Sequence, residues 1–297
     1  MKNLAILISG PPRNIHSLLG RIEADVVKID YHFEVFIHVW KTDGGTKSRG
    51  DDYNLDINEI QNNYSWVKQI ILESPYEDSD YSSFPFEKLE TGQSNAAAIM
   101  GMFLGVNRLV DSIKLNPKIY THVLRLRTDN VLIDENFFYN ISDMLDDNVY
   151  VSRNYLIPYQ WISDHIMLAP LEKFSALWSV SNLNDFFVAY SKNNANPERY
   201  LGWKAKKLGY FKNVKVGWLR YRDYHILYAS PRKGDPLWCH RLDADEIGAL
   251  FLTPKKFITP NDIEELENII RDQKANQDRY ARPIYLKIIG RLTELIK

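Results

Sequence analysis

Cys239 is the only cysteine in 297 residues, so an intramolecular disulfide is excluded, as is every cysteine-based zinc pattern, and a reducing compartment fits. Excess charge of one sign is missing too. The 37 Lys and Arg nearly cancel 38 Asp and Glu, for a formal net charge of -1, so no overall field favours a polyanion and nucleic acid is not an expected partner. Long apolar runs are absent. The opening MKNLAILISGPPRN has one Lys and an apolar run that stops at Ser9, too short for the core of a signal peptide. The longest nearly apolar stretch, Ala96 to Val106, falls well below the ~18 residues of a transmembrane helix. The chain is therefore expected to be cytoplasmic and not to span a membrane. Neither GxGxxG nor a P-loop occurs, and GGTKSRG at 44–50 matches neither pattern. That argues against a dinucleotide-dependent dehydrogenase and a P-loop NTPase. The seven histidines contain no HExxH or HxxxH pair.

What is present is an ordinary globular composition, 45% hydrophobic and 25% charged, with enough apolar material for a sizeable core. The run LAILI before Gly10-Pro11-Pro12 reads as a buried strand ending in a tight turn, with a helix over Ile15–Ile22. Glu34–Trp40 and Val67–Leu72 are β-branched and aromatic strands, with the polar, Gly-rich KTDGGTKSRGDDYN between them as a surface loop. The clearest helix begins near Ser94 and carries Ile99, Met102, Phe103, Val106, Leu109, Val110 and Ile113 at three- and four-residue spacing. Its Gly101 and Gly105 point to close packing on a sheet. Strands at Thr121–Thr128, Asn148–Arg153, His165–Ala169, Val214–Trp218 and His225–Ala229 follow, with helices at Glu135–Met144, Glu172–Trp178 and Pro197–Leu208. Alternation of strand and helix predicts an α/β fold of three layers around a mostly parallel sheet. One large domain is expected over 1–260, with a helical segment over 261–297.

The segment RLRTDN at 125–130 carries the functional expectation. A period of two puts Val123, Arg125, Arg127 and Asp129 on one side, with Leu124 and Leu126 on the other. Buried charges are costly unless they pair with each other or with a ligand, and in open α/β sheets ligands bind beyond the carboxyl ends of the strands. Two arginines can hold a diphosphate, and a terminal Asp129 can hold Mg²⁺ or Mn²⁺. A cation there would stabilise the charge that develops on a diphosphate leaving group. A structural Arg–Asp network remains the alternative. After the first strand, Ser9 and Gly10 permit close backbone approach, and Arg13 can reach a phosphate or a base; a plain Pro-Pro turn with a surface arginine explains them equally well.

These residues resemble the glycosyltransferases of bacterial surface-polysaccharide gene clusters, the WavE-like lipopolysaccharide-synthesis group and its relatives. The resemblance rests on the first strand with SGPPRN, EVFIHVW, GQSNAAA, THVLRLRTDNVL and WISDHIMLAP, covering roughly Asn3 to Ala169. It implies a GT-A-like, Rossmann-type fold, a nucleotide-sugar donor, and a glycan or lipid-linked acceptor. In such enzymes an acidic residue after the fourth sheet strand stands in for the Asp-x-Asp metal motif. It maps here to Asp129 alone, with Arg127 and Thr128 where a second Asp could stand. The resemblance also implies a catalytic base at the start of a later strand, which maps to Asp164, with Glu198 a weaker second. A metal-ligating histidine late in the chain is implied as well, His225 in preference to His240. Trp40, Tyr159 and Trp161 can stack on a base or sugar, although core packing accounts for each.

The tail RYARPIYLKIIGRLTELIK interleaves apolar residues with five basic ones and one acid, Glu294. Such a helix can lie on the cytoplasmic face of an anionic inner membrane or dock on the protein itself. Two other functions compete. GPPRNIHSLL faintly resembles the phosphosulfate loop of sulfotransferases, although Ile15 and His16 stand where Gly-Thr or Ser-Thr is usual. The charged strand of a non-catalytic carbohydrate-binding protein would be an ion network only.

Overall fold

A computed structural model describes residues 2–12, 15–25, 29–41, 55–74, 96–115, 120–132, 134–153, 161–180, 182–192, 196–219 and 223–226. The elements in chain order are β1 (Asn3–Gly10), α1 (Ile15–Asp25), β2 (His32–Trp40), α2 (Ile57–Asn63), β3 (Val67–Glu73), α3 (Ala96–Lys114), β4 (His122–Arg127) and β5 (Asn130–Leu132). They continue with α4 (Phe137–Met144), β6 (Val149–Arg153), β7 (Met167–Pro170), α5 (Leu171–Trp178), α6 (Leu183–Lys192) and α7 (Pro197–Lys207). A 3-10 turn at Phe211–Asn213, β8 (Val214–Leu219) and β9 (Tyr224–Ile226) complete them. Ser94, Arg13, Tyr159, His240, the loop 42–54 and everything from 227 on, with the expected segment 261–297, lie outside the described residues.

A seven-stranded sheet runs in the order β3-β2-β1-β4-β7-β6-β8. β1 pairs in parallel with β2 and β4, β2 with β3, and β6 with β8. The mostly parallel expectation holds with one reversal, since β7 runs antiparallel to both β4 and β6. β6 and β7 are neighbours in sequence and in space, and an antiparallel pair needs no crossover element.

Strand alternation builds the two cores. Ala5 and Leu7 of β1, Val123 of β4 and Met167 of β7 pack beneath α3, α5, α6 and α7. Leu4, Ile6 and Ile8, Leu124 and Leu126, and Ile37 and Val39 face the other way, onto α1, α2 and α4. This is the three-layer α/β/α arrangement expected of a GT-A-like chain. On α3, Phe103, Val106, Leu109, Val110 and Ile113 are all buried, as their spacing predicts. At Gly105 a Cβ would stand 2.7 Å from His38 Nδ1 on β2, so the glycine lets the helix lie close on the sheet.

Candidate functional site

α1, which follows β1, covers one face of the sheet, whereas α3, which precedes β4, covers the other. The winding direction therefore switches between β1 and β4, and a crevice at their carboxyl ends is where an open α/β sheet receives a ligand. β1 ends there in Ser9 and Gly10, and β4 in Arg127, with Thr128 and Asp129 in the turn that follows. Thr128 N–H donates to the Ser9 carbonyl at 3.3 Å, and its hydroxyl donates to the Pro11 carbonyl. Gly10 has φ +139°, and a Cβ on it would meet Thr128 Oγ1 at 2.7 Å. Close approach of the two strand ends thus already requires this glycine. Ser9 is buried, and its hydroxyl finds no hydrogen-bond partner among the described residues.

Arg125 and Arg127 share the face expected of them, while Asp129 stands in the turn just past the strand and reaches back. Arg127 donates from Nε and Nη2 to the two Asp129 oxygens at 2.9 and 2.8 Å, and from Nη1 to Asp164 Oδ2 at 3.2 Å. Asn130 Oδ1 accepts from the Arg127 amide at 2.7 Å, which holds the turn against the strand end. Arg125 is almost fully buried, 1% exposed; its Nη1 donates to the Asp164 carbonyl and its guanidinium lies 4.4 Å from the Trp178 ring centroid. Stacking on an aromatic face offsets part of the cost of a buried cation, on the order of 2 kcal/mol. Its other edge, Nε and Nη2, meets no acceptor among the described residues. Burial pushes its pKa down to about 10.

Asp164 lies in a bend before β7 rather than in a strand, and it is 4% exposed. Burial works against its ionisation, yet Arg127, then His165 and Arg125, hold the carboxyl below its ordinary value. Paired serines shape the bend: Ser152 and Ser163 hydroxyls are 3.0 Å apart, and they accept from the amides of Ile166 and His165 at 3.2 Å each. Glu198 opens α7, and its carbonyl accepts from the Ile162 amide at 3.1 Å. Burial first, then the Asp164 charge, push its carboxyl up to about 8. Tyr190, fully buried on α6, has its hydroxyl pKa raised by burial, then by Glu198 and Asp164.

β9 pairs antiparallel with β5, placing the backbone of His225 opposite Val131, two positions beyond Asp129. The adjacent Tyr224 hydroxyl is 3.0 Å from His165 Nδ1, so this small sheet is tied to the Asp164 bend. Trp40 packs edge-on against His38, and Trp161 lies under the Arg199 guanidinium at 4.4 Å. Both aromatics are thus engaged in packing. Tyr190 and the unpaired edge of Arg125 were not singled out from the sequence, because their proximity to the carboxylates arises only when α5, α6 and β4 pack together.

No family model and no curated protein matches the chain. Solved structures of similar fold include the galactosyltransferase LgtC in complex with donor and acceptor sugar analogues, at 12% identity and TM-score 0.42, covering 72% of this chain and 73% of that one. A 4-diphosphocytidyl-2C-methyl-D-erythritol synthase from Anaerococcus prevotii has 10% identity and TM-score 0.40, covering 77% and 91%. A Drosophila β-1,4-galactosyltransferase 7 mutant, complexed with manganese, UDP-Gal and xylobiose, has 10% identity and TM-score 0.35, covering 77% and 71%.

Proposed function

We propose that this chain is a GT-A-like glycosyltransferase that moves a sugar from a nucleotide-sugar to a hydroxyl of a polysaccharide or glycolipid acceptor. Its setting would be surface-polysaccharide or lipopolysaccharide synthesis at the cytoplasmic membrane face. The observation that supports this reading is the coincidence of two guanidiniums with the topological switch point between β1 and β4. Arg125 keeps a whole donor edge without a described partner, and such a fork matches a phosphate oxygen pair. Ser9, Gly10, Arg13, Arg125, Arg127 and Asp129 are the proposed donor-binding residues, with the proton acceptor drawn from the Asp164–Glu198 pair.

A divalent cation, Mn²⁺ or Mg²⁺, was expected at Asp129 and His225. Among the described residues Asp129 has both oxygens on Arg127 and no three metal-ligating side chains gather, while the His225 side chain lies outside them; Asp129 and His225 are the residues that would hold such a cation and set it beside a diphosphate. The same Arg127–Asp129 pairing favours the competing reading, an ion network that serves structure alone.

A thermal-shift screen against nucleotide-sugars, with and without Mn²⁺, decides the matter. A donor at 100 times its Kd stabilises the native state by about 2.7 kcal/mol, and a clear rise with at least one nucleotide-sugar is expected. A rise with adenosine 3',5'-bisphosphate alone supports the sulfotransferase instead, and no rise with any donor leaves the ion network.

A further inference from the structure

The end of α7 and the strand that follows concentrate one sign of charge that the chain as a whole lacks. Residues 199–216 hold six basic side chains and no acidic one, in a protein whose formal net charge is -1. Cations in the last turn of a helix complement its dipole, and Lys204, Lys206 and Lys207 have that explanation. Lys212 and Lys215 stand beyond the helix and do not. The chain reverses tightly between the two groups: the Tyr210 amide donates to the Ala205 carbonyl at 2.9 Å, the Gly209 amide to the Lys206 carbonyl at 3.1 Å, and Gly209 takes φ +74°. Such a glycine-terminated helix end folds the next residues back on the last turn. Lys206 Nζ accordingly lies 5.1 Å from the Phe211 ring centroid, so both segments share one surface.

That surface mixes cations with apolar side chains. Lys207, Leu208 and Lys212 are exposed, and among the described residues no ion pair engages either of these two lysines. Trp203, Tyr210 and Phe211 are half-buried against the core, and ammonium groups stand over their rings, Lys207 at 5.2 Å from Trp203 and Lys173 at 5.9 Å from Tyr210. Lysine stems lying along apolar surface with their heads outward, beside aromatic rings, match the chemistry of a headgroup layer. Single-stranded nucleic acid asks instead for open ring faces on which bases stack, and here lysines already cover rings. Position matters as well. Val214 pairs with Val149 at the start of β6, and β6 runs with β4 because both oppose β7. The patch therefore adjoins the amino ends of these strands, away from the switch point.

We infer that the face formed by the last turn of α7, the 3-10 turn and the start of β8 docks on the anionic phospholipid headgroups of a bilayer surface. Lys207 and Lys212 meet lipid phosphates, and Leu208 reaches the apolar boundary beneath them. Docking in this way leaves the carboxyl ends of β1 and β4 uncovered, so a bound bilayer and a bound donor do not compete for the same surface. The inference is independent of the transferase reading.

Co-sedimentation of the full chain with vesicles tests it. Phosphatidylcholine vesicles holding roughly 30% phosphatidylglycerol should bind the protein, and phosphatidylcholine alone should not. Each lysine at such a surface contributes about fivefold in partitioning, so Lys207→Gln with Lys212→Gln should bind about 25-fold more weakly. Lys68→Gln with Lys114→Gln, which removes two exposed lysines of β3 and α3, should stay within about threefold of wild type. Leu208→Ser should lose the binding that persists in about 0.5 M NaCl, where charge is screened. Melting temperatures and the thermal shift with a nucleotide-sugar should be unchanged in all three variants, so a failure here is distinguishable from a failure of donor binding. The docking face is overturned if the wild type ignores anionic vesicles, or if the Lys207 and Lys212 variant binds within about threefold of it, which would hand the contact to the basic tail. Equal loss in the Lys68 and Lys114 variant would reduce the effect to net charge, and tighter binding to polyuridylate than to vesicles would make the patch a nucleic-acid surface; either result also overturns it.

Discussion

Arg127 donates to both Asp129 oxygens, and the value of that pair to stability can be separated from its value to binding. Asp129→Ala removes the bidentate partner of a largely buried guanidinium that Asp164 also holds, and loss of one partner from a buried pair costs about 3–5 kcal/mol. Replacing both, as Arg127→Met with Asp129→Leu, should recover most of that in urea denaturation because no orphan charge remains. The double variant is expected to lose the nucleotide-sugar thermal shift; if it keeps that shift, the pair is structural. A second residue with a single physical constraint is Gly105. Alanine there gains about 1 kcal/mol of helix propensity but drives a methyl to 2.7 Å from the His38 ring. The helix must then lift off the sheet, an overpacking cost of typically 1–3 kcal/mol, so Gly105→Ala should lower the urea midpoint. An unchanged midpoint would mean that His38 moves aside at no cost.

The junction of β2, β3 and α3 carries a pH response of definite sign. His38 is fully buried, with Nε2 3.1 Å from Glu73 and Glu73 in turn 2.9 Å from Arg108. Burial dominates over the Glu73 bond and lowers its pKa below 6.5, as burial also does for His122. The unfolded chain therefore binds protons first as pH falls through 6.5, so this contribution to stability rises with pH and is lost as pH falls from 6.5 toward the lowered folded value. Glu198 acts in the opposite direction. Raised from 4.5 to about 8, it holds a proton in the folded chain that the unfolded chain releases, so its contribution declines between those values. Urea midpoints at pH 5, 6, 7 and 8 should show a flatter acid side in His38→Gln and a stabilised alkaline side in Glu198→Gln. Slopes identical to wild type in both variants would contradict these assignments. The elements themselves were largely legible where burial imposes a period. β1, β2, β3, α3 and β4 emerge from LAILI, EVFIHVW, VKQIIL, the α3 stripe and HVLRLR with ends within a few residues. What escaped has little local signal. α2 buries only Ile60 and is held by Asp56 accepting from the Glu59 amide at 3.0 Å, and α6 has only Phe186 and Tyr190 buried among its described side chains. β5 has three residues and exists through pairing with β9, almost a hundred positions later, a long-range contact that no window of sequence contains. At the site, the shared face of Arg125 and Arg127 followed from the pleat. The chelation of Asp129 did not, because it depends on a turn that Asn130 holds against the Arg127 amide.

At the scale of the whole molecule, what gives the site its place is strand order rather than any single residue. β1 and β4 are adjacent interior strands, α1 and α3 lie on opposite faces, and the winding therefore reverses between the carboxyl ends of these two strands, where open α/β sheets bind ligands. The opposite end of the same two strands is closed by local bonds: the Asn3 amide donates to Thr121 Oγ1 at 3.2 Å, the Thr121 amide to the Asn3 carbonyl at 2.9 Å, and the Leu171 amide to the Thr121 carbonyl at 3.0 Å. Both ends of β4 carry polar residues, so polarity alone does not distinguish them, but topology does. Hydrogen–deuterium exchange with and without a nucleotide-sugar should therefore show new protection at Ile8–Pro11, Arg125–Asn130 and Trp161–His165, with amides at Asn3, Thr121 and Leu171 unchanged. Those three segments lie far apart in sequence and meet only through β1, β4 and the bend before β7, so joint protection would locate the ligand at the switch point. Protection confined to the Asn3–Thr121 end would place the ligand on the wrong side of the sheet, and the role of the switch point would fall with it.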